Sequence, residues 1–457
     1  MHHNATPIAA SPYLEKLDRT AFERALSHGR GAAMLHVQAF GLDGIADLVL
    51  TACLHDTAYD SQCEAERSSW LYAMFKTSPH YSQFAAAIVA ALAEASDQHS
   101  LEQICNLAGL MALDGDSNAA NALRNFVWGQ DFSNEGNQYG GQALAALDGL
   151  CAIEELARRF GRLLQQLPNA WVDDLDHLTE KSGNYDAALS TLTAKSEQDD
   201  AIAAYVLRHT QELAERLAQQ AKPDEVRKRE ASQRVRQQSP LATMLSAAEA
   251  GKGERPSFYL VFGRWATDEE LGIVYQHLLA TNSAETRLRL LWVFRKAPLP
   301  SLPPQIWEWV ADSDSRLREA ALYAMAQLSD ARIAVWGRQQ LRDPTFSEAD
   351  ADVLELFAKN YQAGDEVLIM SALQKLKLDD DGLHDIGLAA LRVCDGNTNP
   401  ALAGLAEWVY RTNPCSLCRH SALAWLQQAA SLPLDIAEDG RHCAAPDTQA
   451  LAQTTSG

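Results

Sequence analysis

The stretch Ser313–Leu328, S-D-S-R-L-R-E-A-A-L-Y-A-M-A-Q-L, decides how the rest of the chain reads. Ala320, Ala321, Leu322, Ala324, Met325 and Leu328 recur at the three- and four-residue steps of a helix with one apolar face. Small residues on that face let a second helix backbone come close. Arg316 and Arg318 fall in the first turn, behind Asp312 and Asp314, whose carboxylates are placed to hold them.

The pattern returns downstream at nearly constant intervals. Arg318 is followed by Asp352 after 34 residues, Asp385 after 33 more and Arg419 after a further 34. The surrounding segments are D-A-D-V-L-E-L-F-A, L-H-D-I-G-L-A-A-L and L-C-R-H-S-A-L-A-W-L. The position four further on is Leu322, Leu356, Ala389 and Leu423, apolar each time. Stepping back 29 residues from Arg318 reaches Arg289, in T-R-L-R-L-L-W-V-F. Asp352 and Asp385 replace the arginine, and Gly387 replaces an alanine of the apolar face. These residues resemble the second helix of a HEAT repeat, a helix-pair unit that stacks into a solenoid. The resemblance covers roughly the last 180 residues. It implies an all-α chain, an α-solenoid of antiparallel helix pairs. The HEAT family is known mainly for holding other proteins. Some HEAT-like proteins excise alkylated DNA bases, and others attach bilins.

Composition agrees with a helical chain. Leu and Ala dominate, and β-branched runs are scarce. The length of 457 residues suits two domains or one solenoid. The net charge of −21 repels nucleic acid and anionic membrane unless positive charge is gathered locally. That charge weighs against a DNA glycosylase, which needs a strongly basic groove. The N-terminus has no basic region followed by a long apolar stretch, and no run approaches the length of a membrane span. Several of the eight cysteines fall on apolar helix faces, as buried free thiols do. The expectation is a reducing, cytoplasmic setting.

Turn and cap signals divide the chain. Thr20–Glu23 and Ser100–Gln103 fit capping boxes. The N-terminal helices recur at about 34 to 36 residues per pair, and a compact bundle is the alternative arrangement there. The expected domains are an N-terminal helical-repeat domain over 1–183, a polar helical linker over 184–255, HEAT-like repeats over 256–440 and a tail over 441–457. The linker would then join two solenoid halves.

Four groups of residues are candidates for function. His55, Asp60, Glu64 and Arg67 lie in a polar loop and the helix after it, which also holds Cys63. They read as a recognition loop at a repeat edge; helix capping and dipole pairing are the competing reading. Trp307 and Trp309 are two apart, so both cannot face one side of a helix, and one could anchor a partner. Cys415, Cys418, His420 and Cys443 offer soft zinc ligands, but a lone CxxC without a second close pair is a weak signal. Helix packing, with Asn413 as cap and Pro414 as first residue, is the reading taken, and no metal or other cofactor is expected. The basic run Lys222, Arg227, Lys228, Arg229, Arg234 and Arg236 is interrupted by acids and lacks interleaved aromatics, so it reads as a solvated helix face.

No phosphate-binding Gly-rich motif, nucleophile elbow or HExxH occurs in the sequence. The function expected is a non-catalytic scaffold for another protein with a basic surface. The alternatives are a solenoid enzyme or nucleic-acid-binding protein of the glycosylase or lyase type, or a regulatory component of a bacterial stress or defence system.

Overall fold

The computed structural model describes residues 16–59, 67–94, 100–133, 138–238, 240–251 and 255–454. Among the described residues every regular element is an α- or 3-10 helix and none is a strand. None of these helices is long and apolar enough to cross a membrane. The chain gathers into two compact units, Met1–Ala221 with Leu434–Gly457, and Lys222–Pro433.

In the first unit both expected capping boxes are replaced by other bonds. Asp18 caps helix Arg19–Ser27, accepting from the Ala21 amide at 2.8 Å, so Thr20 lies inside the first turn. Ser100 does precede helix Leu101–Leu113, but its hydroxyl accepts from the Asp56 amide at 2.9 Å. Gln103 donates to the carbonyls of Ala52 and Cys53 at 2.9 and 3.2 Å. Both side chains thus serve the open end of helix Ala46–Leu54 and the turn after it, instead of each other.

The structure also groups the segments around the expected boundaries differently. Helices Tyr185–Ser196 and Asp200–Gln220 pack on Leu150–Gln166. A Cβ on Gly161 would lie 1.8 Å from the Ala201 carbonyl oxygen. Residues 184–221, expected as linker, therefore belong to the first unit. Their short apolar stripe of Ala188, Leu192, Ile202 and Tyr205 is buried in its core, although charged residues surround it in sequence.

The expected tail is likewise packed. Helix Leu434–His442 lies against Gly31–Phe40, and Pro446–Gln453 packs on it in turn. A Cβ on Gly31 would lie 1.9 Å from the Asp439 carbonyl oxygen, so only glycine permits this approach. The Ala32 amide donates to Asp439 Oδ1 at 2.7 Å, and Trp70 Nε1 donates to the His442 carbonyl at 2.8 Å. Such pairing across the chain cannot be read from composition.

The second unit has two layers. Helices Pro256–Trp265, Ala284–Phe294 and Ser315–Ala326, the 3-10 segment Glu348–Leu356, and helices Asp380–Gly396 and Ser416–Gln428 each pack on the next. Ala331–Arg342, Asp365–Leu373 and Ala403–Thr412 form a second succession. The Ser315–Ala326 helix starts as its sequence suggests. Asp314 is the N-cap and accepts from Arg316 N at 3.0 Å, and Arg318 donates to the Asp312 carbonyl at 2.9 Å. Arg419 makes the same bond to the Asn413 carbonyl at 3.3 Å, six residues back. In the first repeat that bond comes from Arg287, to Thr281 O at 3.0 Å, and not from Arg289. Arg289 pairs with Glu285 at 3.2 Å. Each of the three donors is the fourth residue after its N-cap, which is the register that places a guanidinium over the preceding loop.

Candidate functional site

Two constellations in the second unit can carry function. The first is a cleft of about 550 Å³ between the 348–356 segment and the 380–396 helix. Glu348, Asp352 and Asp385 line it, and no lysine or arginine does among the described residues. Burial, then the nearby charges of Glu319 and Asp385, raises the Asp352 carboxyl above its ordinary value. Tyr323 OH donates to Asp352 at 3.4 Å. The nearby cations are already engaged: Arg295 pairs with Glu319 at 3.1 Å, and Arg392 pairs with Glu355. The cleft therefore offers negative charge to whatever enters it, and its most buried carboxylate is the one most relieved by an incoming cation.

The second constellation joins His384, Cys415 and Cys418. One donor atom of each lies within 4.8 Å of the other two. Cys418 Sγ and His384 Nδ1 are 3.8 Å apart. Both cysteines are buried, and His384 is half-buried. The Cys418 thiol, then the amides of Cys418 and Leu417 at the open helix end and the His384 ring, hold the Cys415 thiol well below its ordinary value against the effect of burial.

The turn bearing Cys415 is fixed from several sides. Asn413 was expected to cap the helix with Pro414 at its first position; instead Cys415 is the N-cap and Ser416–Gln428 is the helix. The wholly buried Asn413 amide accepts from Cys415 N at 3.0 Å and donates to the Leu383 carbonyl at 2.8 Å. Leu383 immediately precedes His384, so one amide sets the distance between the two ligand-bearing helices. Gly387 makes room for it, since a Cβ there would lie 2.0 Å from Asn413 Nδ2. Buried Arg419 donates to the Pro414 carbonyl at 2.5 Å.

Of the proposed zinc set, the structure brings Cys415 and Cys418 together and leaves out the other two. His420 is two residues beyond Cys418 on the same helix and so faces another way. Cys443 belongs to the first unit, where its thiol lies 3.5 Å from the Ala445 carbonyl. The residue missed is His384. The repeat register held the signal: His384 and Cys418 are 34 residues apart and each immediately precedes a marker position.

The remaining candidates do not converge. Asp60 and Glu64, with Cys63, lie outside the described residues. His55 is exposed at the end of helix Ala46–Leu54. Arg67 is buried, donates to the Leu26 carbonyl at 2.5 Å and lies 5.6 Å over the Trp70 ring. It is thus committed to packing. Trp309 is also buried, under Arg287 at 5.4 Å. Trp307 is half-exposed, with its ring 6.0 Å from that of Trp336. The basic run lies on helix Asp224–Gln238, where Arg227 pairs with Asp224 and Lys222 with Glu230.

No protein-family model matches this chain, and neither a curated protein nor a solved structure matches it.

Proposed function

We propose that this chain is a non-catalytic binding scaffold, a HEAT-like α-solenoid that receives a basic segment of another protein. The observation that carries the reading is the succession of helices in the second unit, each packed on the next at repeat intervals. The recurring arginine-to-loop bond at Arg287, Arg318 and Arg419 supports a shared repeat unit. The helix pairs of the first unit are a second solenoid half on this reading. The acidic cleft supports the choice of a basic partner, as does the overall charge of −21. The unpaired state of the described cysteines suits a cytoplasmic setting.

The test is fluorescence anisotropy of the full chain with lysine- and arginine-rich peptides, set against acidic and neutral peptides of equal length, over a salt series. Basic peptides should bind most tightly and weaken as salt rises. Reversing the two exposed carboxylates, Glu348→Lys with Asp385→Lys, should weaken binding by about tenfold or more, with circular dichroism unchanged. Equal affinity for acidic and basic peptides, or no response to the charge reversal, would refute the reading.

A further inference from the structure

We infer that His384, Cys415 and Cys418 form a binding site for a soft divalent cation, zinc, which ties two successive helices of the second unit together. Two sulfurs and an imidazole nitrogen are the donor set that zinc prefers over magnesium or calcium. Zinc–ligand bonds of about 2.3 Å to sulfur and 2.05 Å to nitrogen, at tetrahedral angles, place donors about 3.6 to 3.8 Å apart. The Cys418–His384 separation of 3.8 Å already meets that spacing, and the outer limit of 4.8 Å for the group needs a contraction of about 1 Å at most.

The surroundings favour ligation over simple packing. A histidine beside two cysteines contributes little as a hydrophobe. The amides at the start of the 416–428 helix favour thiolate at Cys415. Asn413 and Arg419 hold the Cys415 turn, and Asn413 also grips the residue before His384. These are the outer contacts that orient ligands around a metal. Binding displaces one proton from each thiol to solvent, while neutral His384 supplies a lone pair from Nδ1, so two thiolates balance the charge of the cation. The fourth position is left to water or an outside donor. The site stands apart from the acidic cleft and does not depend on a scaffold role.

The test uses the full chain, purified with a thiol-free reductant and stripped by a chelator. Zinc is titrated in competition with a chromophoric chelator, and cobalt(II) is added separately as a spectroscopic probe. One equivalent should bind, and cobalt should give a thiolate-to-metal charge-transfer band with the intense visible bands of a tetrahedral site. Cys418→Ser and His384→Ala should each weaken zinc by about 100-fold or more, whereas Cys443→Ser in the first unit should leave it unchanged. Alkylation of the unaltered chain, read by peptide mass, needs no variant to fold: zinc should protect Cys415 and Cys418 selectively. Absence of the charge-transfer band, equal alkylation with and without zinc, or a Cys415–Cys418 disulfide in the reduced chain would each overturn the inference.

Discussion

Replacing Gly387 with alanine should destabilise the second unit, although the usual rule for a helix interior says the opposite. Gly387 lies within helix Asp380–Gly396, where alanine is ordinarily favoured by about 1 kcal/mol. Here the new methyl would lie 2.0 Å from Asn413 Nδ2 and 3.2 Å from its Cγ. The Asn413 amide must move, and it is wholly buried. Its bonds to Leu383 O and Cys415 N are then stretched or lost, and each buried group left unsatisfied costs about 1 to 3 kcal/mol. Set against the gain in propensity, the net loss is about 2 to 4 kcal/mol. The assay is urea denaturation followed by circular dichroism. Gly272→Ala is the control, in helix Asp268–Ala280 of the same unit, where an added Cβ meets nothing within 4 Å. That variant should be stabilised by up to about 1 kcal/mol. In the double variant with Asn413→Ala the clash is gone, so the combined loss should fall short of the sum by about 1 kcal/mol or more. A Gly387→Ala protein as stable as its parent, or strictly additive effects, would refute the reasoning.

Two further outcomes are expected in the first unit. Asp173 is buried, and burial pushes its carboxyl up to about 6, with Glu102 and Asp174 adding to the rise and His177 opposing it. A folded-state value above the unfolded one means the folded chain holds the proton more tightly, so this group's contribution worsens as pH rises from about 4 to 6. Asp173→Asn should therefore stabilise the chain at pH 7 by up to about 3 kcal/mol, an advantage that shrinks towards zero near pH 4; a pH-independent difference in denaturation midpoint would contradict this. Removing residues 434–457 should destabilise the N-terminal helices Gly31–Phe40 and Arg67–Phe75, because Asp439 and His442 accept their bonds. Hydrogen exchange in those helices should speed up on truncation, and unchanged protection would count against the packing described.

The sequence by itself determined the helical class and the second unit's ladder. Apolar positions on the Ser315–Ala326 face and the returning Arg318 and Arg419 are local signals, since a helix writes its buried face into the chain every three or four residues. Even there it chose Arg289 over Arg287, because spacing alone cannot say which guanidinium reaches the loop carbonyl. The Cys415–Cys418 pair was legible as possible ligands, and its partner His384 was hidden one repeat earlier. Only the tertiary structure decided the rest. It brought Asp439 against Gly31 across nearly the whole chain, and took residues 184–221 into the first unit's core. It also showed that Gly387 is the space Asn413 needs. Contacts between distant segments depend on how helices stack, and a helix's sequence states which face must be covered without stating what covers it.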